Sequence, residues 1–171
     1  MSESGISVTE TKVLAVKNWP VPLNLHEVRS FVGFCSYYRR FIEKFADIAA
    51  PLHELTRKNV KFHWGTQQQN AFEELKSRLT TTPILAMPTD DDMFILDTDC
   101  SDKAAGAVLS QIQNGVERPI AYASRSLNNA EKAYCTARKE LLAVVYGLKQ
   151  YRMYLHHSYR PLRSPVVAKN T

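Results

Sequence analysis

Met93-Phe94-Ile95-Leu96-Asp97-Thr98-Asp99, Ala105-Gly106-Ala107-Val108-Leu109-Ser110-Gln111-Ile112 and Arg118-Pro119-Ile120-Ala121-Tyr122-Ala123-Ser124 are three extended runs in close succession, and Asn114-Gly115 stands between the last two. Both residues of an Asn-Gly pair accept the positive φ that a two-residue hairpin turn demands, so the second and third runs predict a hairpin. With the first run before them, the three predict an antiparallel meander. After Asn128-Asn129 comes the longest helical pattern, in which Leu141, Val144, Val145, Leu148, Tyr151 and Leu155 recur at helical spacing, so a helix is expected to pack on the sheet.

Upstream the period is helical throughout. Trp19-Pro20-Val21-Pro22-Leu23 reads as an extended connector, because each proline disfavours the helical region for the residue before it. Asn24 with Glu27 three residues on has capping-box character, and Val28, Phe31, Val32, Cys35, Tyr38, Ile42 and Phe45 then recur as one apolar face. Gly33 sits inside this helix, and Arg29, Arg39, Arg40 and Lys44 occupy its other faces. A shorter helix is expected over 48–57 with Pro51 near its first turn, and another from Thr66 to about Thr80, with Thr66 and Gln69 as its capping pair. A boundary near Trp64-Gly65 divides a helical module, 1–64, from an α/β module, 65–155. The tail, 156–171, has two prolines and no clear period, and reads as disordered.

The chain of 171 residues is 44% hydrophobic and 23% charged with only 6 Gly and 8 Pro, which excludes fibrous and disordered classes and allows a sizeable core. Net charge is +5, and the basic surplus sits at the two ends, while Asp90, Asp91, Asp92, Asp97, Asp99 and Asp102 crowd into the middle. A basic balance raises the expectation of a polyanionic partner without establishing one. Three cysteines, Cys35, Cys100 and Cys135, share no metal-ligand spacing and suit a reducing compartment. With no apolar run of membrane-spanning length and no secretory leader, the chain reads as soluble and intracellular, with no membrane partner.

Asp99 at a strand end and Glu140 on the long helix are the two carboxylates that could converge as hard oxygen ligands for Mg²⁺. By spacing alone, a turn or cap role for Asp99 and a solvated position for Glu140 are the commoner outcome. On the first helix, Gly33 and Tyr37 share a face beside basic side chains, and a solvated polar face is the ordinary reading of such residues.

The wording of the chain adds to this. Ile95-Leu96-Asp97-Thr98-Asp99-Cys100-Ser101-Asp102, Gly106-Ala107-Val108-Leu109-Ser110-Gln111, Ala121-Tyr122-Ala123-Ser124-Arg125-Ser126-Leu127, Tyr134-Cys135-Thr136 and Arg138-Lys139-Glu140-Leu141-Leu142-Ala143-Val144-Val145 resemble the RNase H domain of gypsy-type LTR retrotransposon Pol polyproteins. Trp19-Pro20-Val21-Pro22, Val28-Arg29-Ser30-Phe31-Val32-Gly33, Ser36-Tyr37-Tyr38-Arg39-Arg40-Phe41-Ile42, Ile48-Ala49-Ala50-Pro51-Leu52 and Phe62-His63-Trp64 resemble the thumb of the same polyprotein's reverse transcriptase. The resemblance runs over roughly residues 4–155 with motifs in family order.

It implies an α/β fold, a small helical thumb followed by a truncated RNase H-like domain of three antiparallel strands with a packed helix. It also implies that Asp99 and Glu140 are the first two carboxylates of a two-metal, Mg²⁺-dependent endonuclease site, and that Gly33, Tyr37, Arg29, Arg39, Arg40 and Lys44 face an RNA/DNA hybrid or duplex. The chain departs from the family in ways that matter. The Thr-Asp-His segment that carries the third aspartate has no counterpart, the tail holds no Asp or Glu at all, and the Tyr-X-Asp-Asp polymerase motif is absent together with fingers and palm. The expectation is therefore a retrotransposon-derived fragment without complete catalytic machinery that binds nucleic acid weakly. The alternatives are a ribonuclease H completed by the remainder of a Pol polyprotein and a non-binding, protein-interaction fragment.

Overall fold

The computed structural model describes residues 10–81, 85–89, 93–157 and 167–170. The Asp90-Asp91-Asp92 run lies outside them.

Four helices come first: α1 (Glu10–Lys17), α2 (Leu25–Tyr37), α3 (Phe45–Leu55) and α4 (Thr66–Thr80), with a 3₁₀ turn, Arg39–Phe41, between α2 and α3. Asn24 caps α2 as expected: its Oδ1 accepts the Glu27 N–H at 3.0 Å, and the Glu27 carboxylate accepts the Leu23 N–H at 2.7 Å. The helix expected to continue to Phe45 stops at Tyr37. The apolar spacing runs on through Ile42 and Phe45, but Lys44 adopts φ 55° and ψ 29°, a left-handed conformation that turns the chain and opens α3 three residues earlier than the 48–57 reading. Pro51 accordingly lies inside α3 rather than in its first turn. α4 spans its expected residues, but its cap is Gly65, whose N–H is accepted by Gln68 Oε1 at 3.2 Å, while Gln69 accepts the Trp64 indole N–H at 2.8 Å.

Val16, Val28, Phe31, Cys35, Leu52, Phe72, Leu75 and Leu79 form one core with Trp19 and Trp64 against it. This core takes α4 with the helices before it: α4 lies against α1 and α3, and its Phe72 ring stands 4.6 Å from that of Phe31 on α2.

The meander is present as read. β1 (Phe94–Cys100), β2 (Ala104–Gln113) and β3 (Val116–Ser126) pair antiparallel, with Asn114 at φ 53° and Gly115 at φ 76° in the hairpin turn. A fourth strand, β4 (Val167–Asn170), runs parallel to β1, so the sheet order is β3-β2-β1-β4. The tail read as disordered thus supplies a strand: the side of β1 not taken by β2 is a row of unpaired backbone groups, and Val167–Asn170 satisfies part of it.

Past β3 come the short α5 (Asn129–Lys132), α6 (Thr136–Gln150) and α7 (Arg152–His157), with α6 lying on β1 and β2. Lys139, Ala143 and Gly147, one helical turn apart, are the buried positions of α6. A Cβ on Gly147 would come within 3.1 Å of Ala107 Cβ and Leu96 Cδ1, so the helix approaches the sheet as closely as backbone allows. Leu141, Val145 and Leu148, which mark the helix in the sequence, are exposed. A small-residue stripe, not the leucines, meets the sheet. Among the described residues no helix is long and apolar enough to cross a membrane.

Substituting Gly147→Val overpacks this contact and should lower the unfolding free energy in urea by about 1–3 kcal/mol. A Cβ on Gly33 meets nothing within 4 Å, and Gly33→Ala should raise stability by about 0.5–1 kcal/mol through helix propensity. Glu131 completes the α5 capping box with Asn128 and binds the Arg125 guanidinium at 2.8 and 2.9 Å, which holds its carboxyl at about 2 against an ordinary 4.5. Because the folded-state value is the lower one, the stability it contributes is present above about 4.5 and lost as pH falls toward about 2. Urea midpoints should therefore drop across that window, less steeply in Glu131→Gln.

Candidate functional site

α2 presents Arg29, Gly33 and Tyr37 at successive i, i+4 positions on an exposed face. Tyr37 is 79% exposed, yet its ring is held edge-on to Tyr38 at 4.9 Å, and Tyr38 leads through Phe34 and Trp19 to the core aromatic Phe31. The three therefore form a fixed surface with an open gap at the glycine.

The other basic candidates do not join that face, because the chain turns at Tyr38. The Arg39 guanidinium donates from Nη2 to the Ser124 carbonyl of β3 at 2.9 Å, and Arg40 lies over the Phe41 ring at 5.6 Å. Lys44 Nζ reaches Asp99 Oδ2 at 2.8 Å. Of the four cations read on one helix, only Arg29 remains on α2.

Asp99 is the last residue but one of β1, on the face turned away from α6. Leu96 and Thr98 are the residues that a Gly147 side chain would meet, so by strand alternation Asp97 and Asp99 point the other way. There they line a cleft of about 430 Å³ with Glu43, Lys44, Glu117 and Tyr122. Glu140 follows the buried Lys139 and is exposed, about 100° further round α6. Among the described residues no group of three or more His, Cys, Asp or Glu side chains could hold a metal ion. β4 occupies the place beside β1, but Val-Ala-Lys-Asn carries no carboxylate. A pair of Mg²⁺ ions requires several converging hard oxygens. Asp99, its carboxylate engaged by the Lys44 ammonium, and Glu140, exposed on α6, do not by themselves fit that requirement.

Several residues that sequence reasoning passed over organise this region. Ser101 Oγ accepts the Lys103 and Ala104 N–H groups at 3.1 and 2.9 Å, ordering the β1–β2 turn, and donates to Asp47 Oδ1 on α3 at 2.7 Å. A serine opening a tight turn was the available signal. Asp102 takes the buried Lys139 Nζ at 2.6 Å, and that ammonium holds its carboxyl below the usual range. Ser124 is buried, and its Oγ accepts the Ala46 N–H at 2.9 Å. The connector before β1 is clamped too: Gln111 accepts the Thr89 N–H at 2.9 Å and donates to its carbonyl at 2.7 Å.

A protein-family model described as the RNase H-like domain found in reverse transcriptase matches residues 64–161. The retrovirus-related Pol polyprotein from transposon 412 of Drosophila melanogaster is 39% identical over 155 residues, 91% of this chain and 12% of its own length. That from transposon 297 is 42% identical over 158 residues, covering 91% and 14%. The Tf2-3 polyprotein of Schizosaccharomyces pombe is 34% identical over 164 residues, covering 95% and 12%. The chain thus spans well under a fifth of these relatives. In fold it is similar to a foamy viral protease-reverse transcriptase solved with double-stranded DNA, at TM-score 0.77 and 22% identity, covering 97% of this chain and 28% of that one. A foamy viral protease-reverse transcriptase solved with an RNA/DNA hybrid gives TM-score 0.76 and 22% identity, covering 96% of this chain and 22% of that one. The family match over more than half of its residues and its likeness to these polyproteins together assign this chain to the RNase H-like domain family of reverse transcriptases, in the form carried by the Pol polyproteins of retrotransposons.

Proposed function

We propose that this chain binds RNA/DNA hybrid or duplex nucleic acid weakly, through the exposed face of α2, and does not itself cleave it. One observation carries the reading: Arg29, Gly33 and Tyr37 share one exposed helical face whose glycine leaves open space and whose tyrosine is braced from behind. A gap of that kind admits a sugar-phosphate edge, the ring supplies an apolar contact beside it, and the guanidinium reaches a phosphate. The foamy viral structures, solved with double-stranded DNA and with a hybrid, support a nucleic-acid partner of this class. Such contacts read shape and charge, so the binding is without sequence preference. Cleavage is a different matter, since hydrolysis through paired Mg²⁺ ions needs carboxylates that Asp99 and Glu140 alone do not supply. An RNase H activity would draw its further ligands from other parts of a Pol polyprotein.

Fluorescence titration with a short hybrid should give an affinity that falls steeply with salt. Arg29→Ala should shallow the log-log slope by roughly one unit, whereas Tyr37→Ala should weaken binding with little change of slope. Gly33→Ala is the sharpest variant, because it should weaken binding while stabilising the fold. Arg39→Ala should cost stability through the lost Ser124 contact and leave the slope nearly unchanged. Equal binding by Arg29→Ala, Gly33→Ala and the parent would refute this assignment of the face. With Mg²⁺ present, the purified 171-residue chain should leave a labelled hybrid intact; cleavage abolished by Asp99→Asn would overturn the non-catalytic half of the reading.

A further inference from the structure

We propose that Lys44 is a positioning residue that closes on Asp99, its ammonium taking the carboxylate a divalent ion would otherwise use and fastening the helical module to the sheet. The inference rests on the same carboxylate geometry as the non-cleaving reading and goes beyond it by giving Asp99 a different role.

Three independent observations support it. The first is backbone: Lys44 stands at φ 55° and ψ 29°, a left-handed conformation that glycine and asparagine accept and lysine disfavours. It sits at the N-cap position of α3, where its side chain caps nothing. A poorly suited residue at a strained position points to a task for its side chain. The second is the contact itself, Nζ to Oδ2 at 2.8 Å between residues 55 positions apart in the chain and in different modules. The third is charge. Among the described residues lining the cleft, Lys44 is the sole cation and Glu43, Asp97, Asp99 and Glu117 are the carboxylates.

Neighbouring bonds make the contact part of a seam. Asp47 meets Ser101 at 2.7 Å, Ala46 meets Ser124 at 2.9 Å, and Arg39 meets the Ser124 carbonyl at 2.9 Å. Residues 39–47 therefore cross the sheet face held at four points, with Lys44 set over the carboxylate that the resemblance implies for metal binding.

The test uses the full chain with Lys44→Met, Asp99→Asn and the double variant. Methionine keeps an unbranched stem and a similar backbone preference, so it removes the charge while leaving the turn comparable. Thermal unfolding should show Asp99→Asn lowering the midpoint by about 1–3 °C in the parent and leaving it unchanged in the Lys44→Met background, as expected for an exposed pair. Mn²⁺ alone, followed by paramagnetic broadening of the Asp99 and Gly106 amide signals, should bind roughly twofold to fivefold more tightly once Lys44 is methionine. Additive midpoint shifts, or equal Mn²⁺ affinity in parent and Lys44→Met, would overturn the proposal. Neither measurement uses hybrid cleavage, so this inference and the non-cleaving reading fail separately.

Discussion

Ser124 is the residue on which the arrangement of this molecule turns. Buried near the end of β3, it accepts the Ala46 N–H through its hydroxyl and the Arg39 guanidinium through its carbonyl. The Ala46 N–H is one of the first-turn donors that an α-helix cannot satisfy internally, and leaving it buried without a partner would cost about 1–3 kcal/mol. A strand of one module thereby completes a helix of the other, and the direction of α3 is fixed by the sheet. Where α3 starts decides where Lys44 stands, and where Lys44 stands decides what happens at Asp99.

The same contacts protect the sheet. β3 is an edge strand, and an uncovered edge is a template for further pairing. Arg39 reaches one of its carbonyls and the Ala86 N–H reaches the Pro119 carbonyl at 2.9 Å, while the 3₁₀ turn and α3 lie against it. Tyr151 contributes from the α6 side, where its buried hydroxyl lies 2.8 Å from the Ala121 carbonyl; burial holds the phenol firmly protonated, so it serves as a donor. A solvated loop is thus replaced by a set of polar contacts that each answer a specific backbone group.

Much of this was legible in the residues, and the illegible parts share a physical cause. Asn24 with Glu27, Asn114-Gly115 and the span of α4 act within a few residues of themselves, so their outcome is local. The break at Tyr38 was hidden because Ile42 and Phe45 continue the helical count after the helix has ended; both are buried, but by a turn and a new helix. In α6, counting large apolar residues pointed to Leu141, Val145 and Leu148, whereas close packing against a sheet selects small ones, and Gly147 carries that signal without appearing hydrophobic. At the candidate site, Asp99 and Glu140 could be named from wording alone. That Asp99 would meet Lys44, and that Arg39 would leave the basic face, depends on tertiary contacts that no periodicity records.

The sheet order also has a consequence for how the chain is made. β1 lies between β2, its immediate successor, and β4, which follows only after β3 and the whole of α6. Antiparallel pairing of β1 with β2, and of β2 with β3, can proceed as those residues leave the ribosome, since each contact is between near neighbours in the chain. The parallel partner of Ile95 is Val167, so β1 keeps one open flank until residues well beyond α6 have emerged. Assembly of the sheet is therefore ordered in time, the hairpin pairing before β4 closes the open flank of β1.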